Sequence, residues 1–459
     1  MNPMFSFIEW IAIGPEIDPL DRPIIDFRNG KKATNRDMMN GLIGIADKGM
    51  GKTTLARTIY RAMLREGYGG LVLCVKRSQV EEFLSSARAE WREGDCIVLT
   101  AGGRQSLNPL AGQTNPNEAA DLIGELAEVL AEKVKGGGEN DAFWRAQLTI
   151  VLRNLFTLCW CTYRRLDVIR AAELFDDRAN HIAEIADPRW QETSRLAAAL
   201  RVARKNQDDV GAGLAVEYFE KTYPTHGDRL QGSLAATVGG VFDYLRRSPL
   251  REIFSGESTF SMDDLLTRRK IAVVGLPALD SVDGRVANAV MQFCFCRAAT
   301  RGSDNTPTFI AADECQELVN REFMRKMAVL REFRVATVLL TQNLAVLDEK
   351  IGETAREGLC ALMSTKVFGH QSHEATRKWA TEQIGKRKME KETKTKGSSG
   401  SNLSQSSSKS VHEEWEARIP PSRFSKLAMG ETICLREGHV WQSRWHKDCP
   451  GKRGTVAIA

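Results

Sequence analysis

Short apolar runs alternate with segments of helical spacing along most of this chain. Residues 41–45 (Gly-Leu-Ile-Gly-Ile) form a run of strand length, and 52–67 places Leu55, Ile59, Ala62 and Met63 on one helical face before Gly67 ends it. A second buried strand is predicted at 70–75 (Gly-Leu-Val-Leu-Cys-Val), a helix at 79–91, and a third strand at 96–100 (Cys-Ile-Val-Leu-Thr). Strand and helix in this alternation predict an α/β fold with a parallel-rich central sheet. Near Asn115 the pattern changes. Asn115-Pro116 followed by Glu118 reads as a helix start. Leu122, Ile123, Leu126, Val129 and Leu130 then share a face, and Gly136-Gly-Gly138 interrupts it. Trp144, Leu148, Val151, Leu152, Leu155 and Phe156 line a second helix, and helical spacing continues to about Leu250. Residues 115–250 are therefore expected to be an all-α domain inserted into the sheet domain. Strands return at 270–275, 308–312, 335–340 and 366–368, and again at 431–435 and 439–445.

Between the first strand and its helix lie Ala46, Asp47, Lys48, Gly49, Met50, Gly51, Lys52, Thr53 and Thr54. Strand, glycine-rich turn and helix in this order make a phosphate-binding loop. Gly49 and Gly51 let several backbone N–H groups turn inward, toward the positive end of the helix that follows. Lys52 is expected to reach the β- and γ-phosphates of ATP, and the Thr53 hydroxyl to ligate Mg²⁺. Ala46 stands where the usual pattern has its first glycine, which alanine can replace if its φ stays negative.

Composition narrows the alternatives. The chain has 459 residues with 42% apolar content, enough for a large core and two or three domains. No run of about 18 apolar residues occurs, so no membrane span is expected. The expected location is cytoplasmic, with recruitment to the inner face of the membrane by a partner left open. Ten cysteines are scattered without metal-like spacing. Cys159/Cys161 and Cys294/Cys296 are C-x-C pairs inside apolar helical sequence, where the two thiols point apart, so core thiols are expected rather than a zinc site. Net charge is +5, and 384–411 accounts for all of it, with seven basic and two acidic residues. Any DNA contact must then come from local patches. Lysine-rich and then serine-rich composition predicts a flexible loop over 386–411.

A second cluster of chemistry lies far downstream. Thr308-Phe-Ile-Ala-Ala-Asp-Glu314 is a strand ending in two acids. Asp313 is expected to complete the Mg²⁺ site, and Glu314 to orient and deprotonate the water that attacks the γ-phosphate. The strand at 335–341 ends at Gln342. If that strand lies between the loop strand and the acidic strand, Gln342 sits beside the γ-phosphate as a sensor of hydrolysis; a simple loop-capping role is as well supported. Arg325, Arg331 and Arg334 precede this strand, and one of them is a candidate to enter a neighbouring subunit's site and stabilise the transferring phosphoryl group. The organisation so predicted is an N-terminal segment at 1–25, a nucleotide-binding domain in two parts (26–114 and 251–385), the all-α domain at 115–250, the loop at 386–411 and a β-rich tail at 412–459.

From about residue 26 onward the order of motifs resembles that of the type IV coupling proteins, the hexameric ATPases of conjugation and type IV secretion. The phosphate loop is followed by Leu71-Val-Leu-Cys-Val-Lys76. Ser106-Leu-Asn-Pro-Leu-Ala111 is similar to the family's Asn-Pro-Leu turn, and Phe143-Trp144 opens a helix of the all-α domain. Asp313-Glu314 and Gln342 follow in order, and 419–427 with 430–434 is similar to the closing strand pair. The resemblance implies a RecA-like P-loop ATPase domain, an all-α domain on the side of the ring where substrate enters, and a homo-oligomer, hexameric in the family. It further implies ATP-driven handling of DNA or nucleoprotein, with relaxase or secretion-channel proteins as partners. By its position before Gln342, Arg331 matches the family's trans-acting arginine finger. Two departures stand out: no membrane anchor is seen at the N-terminus, and Val75-Lys-Arg-Ser replaces the common Asp-Pro-Lys-Gly turn. Two alternatives stay open at this point, a double-stranded DNA translocase of the chromosome-segregation or repair class, and a non-hydrolysing docking receptor clamped by nucleotide.

Overall fold

The computed structural model of the chain describes residues 18–26, 32–130, 139–206, 209–302, 306–397 and 406–445. Strands β1 (Pro23–Asp26) and β2 (Lys32–Thr34) form a small antiparallel pair. The main sheet is built from β3 (Leu42–Ile45), β4 (Gly69–Leu73), β5 (Cys96–Leu99), β6 (Ile271–Val274), β7 (Thr308–Asp313), β8 (Val335–Thr341) and β9 (Thr365–Phe368). A separate hairpin, β10 (Lys386–Gly397) and β11 (Ser406–Ala417), precedes β12 (Glu431–Arg436) and β13 (His439–Arg444). The order across the nine-stranded sheet is β13-β12-β9-β3-β8-β7-β4-β6-β5. Strands β9 through β5 in that order are mutually parallel, while β12 joins β9 and β13 joins β12 antiparallel.

Both faces of the sheet are covered, and this explains why its strands read as continuous apolar runs instead of alternating ones. Every residue of β3, β4, β6 and β8 is buried. Successive side chains go to opposite faces. Leu71 and Leu73 join Ile310, Leu339 and Ile43 in one core, and Val72 joins Phe309, Val338 and Leu42 in the other. The second core lies under helices Lys52–Arg65 and Arg77–Ala89, where Tyr60, Phe83 and Phe309 meet with ring centroids 5.3 to 6.5 Å apart. Helix Val282–Ala299 covers the first.

Between β5 and β6 the described chain is helical from Pro116 to Phe254. Helices Pro116–Leu130 and Glu139–Tyr163 pack together, and Phe156, Phe175 and Phe242 meet edge to face at 6.5 Å in the core of this part. It is fastened to the sheet part by ion pairs at the packed contact of helices Pro116–Leu130 and Val282–Ala299. Glu118 takes Arg297 at 2.9 Å and also Arg301, and Glu125 takes Lys326 at 2.9 Å. The expected glycine break at 136–138 and most of the N-terminal segment fall outside the described residues.

One composition-based expectation needs correcting. Residues 386–397 are not a flexible loop but the first strand of an antiparallel ladder with 406–417, paired from Lys386↔Ala417 to Gly397↔Ser406. The bias toward lysine concealed a second strand that carries acids. Across 386–417 there are seven basic and five acidic residues, and Lys388 pairs with Glu413 at 2.8 Å. The stretch before β3 holds β1, β2 and a short helix at Asn35–Met39. The C-x-C cysteines lie within helices and are buried. Burial pushes Cys159, Cys294 and Cys296 up to about 12. Among the described residues no group of His, Cys, Asp and Glu is arranged to hold a metal alone, and no helix is long and apolar enough to cross a membrane.

Candidate functional site

The phosphate loop leaves the C-terminal end of β3 and is held by its neighbours on three sides. Ala46 N donates to Thr341 O at the end of β8 (3.2 Å), and Asp47 N donates to His370 O after β9 (2.9 Å). The Asp47 carboxylate accepts from Ser372 N at 2.7 Å and lies 3.1 Å from His370 Nδ1. On the third side Gly430 N donates to Met50 O at 3.2 Å. Ala46 keeps a negative φ, so alanine at the first glycine position costs nothing. Gly49 and Gly51 have φ of +78° and +103°. A Cβ on Gly51 would lie 3.0 Å from the Gly430 backbone, so this glycine is required twice over. Lys48 and Gly49 are exposed, and Met50, Thr53 and Thr54 are half-buried.

Lys52 is 8% exposed and turns back into the loop, donating to Ala46 O at 2.7 Å and Asp47 O at 3.2 Å. Burial lowers its pKa, and the charges of Glu314 and Asp313 oppose that shift. The two distant motifs therefore meet. Thr53 and Asp313 line one cavity, together with Arg57, Gln79 and Glu82. Asp313 ends β7 and accepts from Glu314 N at 2.9 Å. Burial, aided by the nearby charge of Glu314, pushes its carboxyl up to about 6.

Glu314 follows in a left-handed conformation with φ +61°. Its Oε1 accepts from Lys76 Nζ at 2.8 Å, and its Oε2 accepts from Gln342 Nε2 at 2.9 Å and Gln316 Nε2 at 3.0 Å. Burial pulls Glu314 upward, but the Lys76 ammonium and the two amides outweigh it and hold the carboxyl below its ordinary range. Gln342 stands here because β8 lies between β3 and β7, as the site requires. Gln371 Nε2 in turn donates to Gln342 O at 2.6 Å.

Arg331 does not join this cluster. It opens a 3-10 turn, Arg331–Phe333, at the N-terminal end of β8, and is exposed. A strand of that length separates it from Gln342 by roughly 20 Å. Sequence reading missed Lys76, Gln79, Gln316, His370, Ser372 and Gly430 as parts of the site. Only Lys76 left a trace, in the departure from the family's turn at Val75-Lys-Arg-Ser; Gln79 comes from the first turn of helix Arg77–Ala89, Gln316 from the 3-10 turn after Glu314, and His370, Ser372 and Gly430 from loops whose placement depends on strand order.

The residues present suit a nucleoside triphosphate with Mg²⁺. The Thr53 hydroxyl and a single carboxylate, Asp313, share a cavity, the sparse oxygen set with which proteins hold Mg²⁺ when phosphates and waters complete the shell. The space around Gly49 is open, and Gly51 leaves the N-terminus of helix Lys52–Arg65 without a side-chain cap.

Known proteins resemble this chain over part of its sequence and in its fold. Residues 307–428 match the family described as the TraM recognition site of TraD and TraG. No curated protein sequence matches the chain. Among solved structures, the unbound bacterial conjugative coupling protein TrwB is similar at a TM-score of 0.65 and 11% identity over 94% of this chain and 89% of that one. TrwB in complex with ADP and Mg²⁺ gives 0.64 and 11% over 96% and 93%. VirB4 of Thermoanaerobacter pseudethanolicus gives 0.51 and 13% over 94% and 98%. The chain thus has a mostly parallel sheet domain with an all-α part, and its fold is similar to that of the conjugative coupling protein TrwB, of the family that its motif order resembles.

Proposed function

We propose that the chain is an ATP-hydrolysing motor that assembles as a homo-oligomeric ring, hexameric in the resembled family, and moves or delivers DNA or nucleoprotein in conjugative transfer or type IV secretion. The observation that carries this reading is the meeting of Lys52 and Thr53 with Asp313, Glu314 and Gln342 at the C-terminal edge of one parallel sheet. Support comes from TrwB, crystallised with ADP and Mg²⁺ and with a non-hydrolysable ATP analogue, and from the family match at 307–428, whose description names TraM.

In this reading Lys52 leaves the loop carbonyls for the β- and γ-phosphates, and the loop N–H groups cradle them. Thr53 and Asp313 would hold Mg²⁺, which would supply positive charge against those phosphates. Glu314 takes a proton from the attacking water, and Gln342 reports the loss of the γ-phosphate to β8. Arg331 acts in this reading on the site of a neighbour, and its exposure at the opposite end of β8 from Gln342 supports that role. Lys52→Ala is expected to lower ATP hydrolysis at least about 100-fold. Glu314→Gln is expected to bind nucleotide and not turn it over. Native-rate hydrolysis by Lys52→Ala would overturn the assignment.

A further inference from the structure

Glu314 is the base of the proposed reaction, yet both oxygens of its carboxylate already accept hydrogen bonds. The side chain is 6% exposed, with the Lys76 ammonium on Oε1 and the amides of Gln316 and Gln342 on Oε2. Base catalysis needs a lone pair of this carboxylate aimed at the water. That water's oxygen bonds to the γ-phosphorus as the bond to the departing ADP oxygen breaks, and its proton passes to Glu314. With two amides on Oε2, the lone pair left for the proton is on Oε1, where the Lys76 ammonium blocks one approach and makes the carboxylate a weaker base.

The three contacts differ in how they can open. Gln316 lies two residues away on the 3-10 turn that follows Glu314, and its Oε1 accepts from Thr341 Oγ1 at 3.0 Å, which ties it to β8. Gln342 is held by Gln371 through its own carbonyl. Lys76 comes from the far side, at the end of β4. Its backbone N–H is held by Gln79 Oε1 at 3.0 Å, but its side chain is 40% exposed and is free to swing into solvent or toward a bound triphosphate. Electrostatically it already belongs to the nucleotide site, since its charge acts on Lys52, Asp313 and Glu314.

We propose that Lys76 is a positioning residue that latches Glu314 in a resting state, and that turnover requires this ion pair to open. The latch rests on the hydrolase reading above and adds to it a brake on unstimulated hydrolysis. Negative charge arriving with the triphosphate competes with Glu314 for the ammonium, so the latch loosens when there is substrate to hydrolyse.

The test is steady-state ATP hydrolysis by the full chain without nucleic acid, for wild type, Lys76→Met, Lys76→Arg and Glu314→Gln. Lys76→Met is expected to raise kcat about 5-fold, the scale of one partly exposed ion pair, with KM changed by less than about 2-fold. Lys76→Arg keeps the pair and should stay near the wild-type rate. Lys76→Met combined with Glu314→Gln should be inactive, which ties the gain to the base. Should Lys76→Met fail to fold, Lys76→Gln keeps a neutral donor to Oε1 and is expected to show a smaller rise. A wild type that hydrolyses ATP alongside a folded Lys76→Met or Lys76→Gln that is equal or slower overturns the latch alone. A wild type and a folded Lys76→Met that both show no hydrolysis, with or without added DNA, overturn the motor reading and the latch with it.

Discussion

Asp313 has its carboxyl pushed up to about 6 by burial, and that has consequences for both stability and binding. Its folded-state value lies above the ordinary carboxylate range, so the folded chain holds the proton more tightly than the unfolded one. The ligand-free protein therefore gains stability as pH falls from about 6 toward the ordinary range, and above 6 the buried charge costs about 3 kcal/mol. Asp313→Asn should raise the melting temperature of the ligand-free protein at pH 7.5 by several degrees, and the gain should vanish near the ordinary carboxylate pKa. Thermal melts across that pH series check it. The same titration predicts that affinity for nucleotide with Mg²⁺ falls below about pH 6, measured by fluorescence of a nucleotide analogue, because a metal ligand must be deprotonated.

At the level of elements, the last two strands brace the phosphate loop. Gly430 has φ +78°, donates its N–H to Met50 O, and receives Trp445 N at 2.8 Å on its own carbonyl. A Cβ there would come within 2.4 Å of Trp445 O. Gly430→Ala is expected to cost about 2 kcal/mol or more and to weaken nucleotide binding together with stability, which denaturant melts and nucleotide titration would show. The hairpin β10–β11 behaves differently. It pairs only with itself and stands apart from the nine-stranded sheet. Replacing 389–414 by a short turn should leave the melting temperature within a few degrees of wild type. The near balance of charge across the hairpin further predicts an unchanged salt dependence of DNA binding, read as the slope of log affinity against log salt.

For the whole molecule, the separation between Arg331 and its own Lys52 matters most. A site complete in one chain would give a specific activity independent of protein concentration. A site finished by a neighbour's arginine would not. Specific ATPase activity is expected to rise steeply with concentration until the ring forms. Arg331→Ala and Lys52→Ala, each inactive alone, should recover partial activity when mixed, because a ring holding both can pair an intact Lys52 with an intact Arg331 from the next subunit. No recovery at any ratio would place the arginine finger elsewhere.

Much of this was legible in the residues themselves. The covered sheet wrote itself as apolar runs without alternation, because strands buried on both faces need no polar side. The phosphate loop, Asp313, Glu314 and Gln342 could be named because each closes or follows a strand, where local pattern and chemistry coincide. Other features were beyond local pattern. A lysine-rich stretch reads as solvated until its acidic partner strand is known, as at 386–397. Gly430 looks like any turn glycine until β12 is laid antiparallel on β9 and brings it against Met50. Lys76 and Glu314 stand 238 positions apart, and only the order β3-β8-β7-β4 sets the strand bearing one beside the strand bearing the other. The sequence alone determined which groups are candidates to hold phosphate, metal and water, since that depends on side-chain chemistry and on the turn beside it. Tertiary structure decided which of those groups touch and which are held back, because strand order, unlike strand content, is set by the packing of the whole sheet.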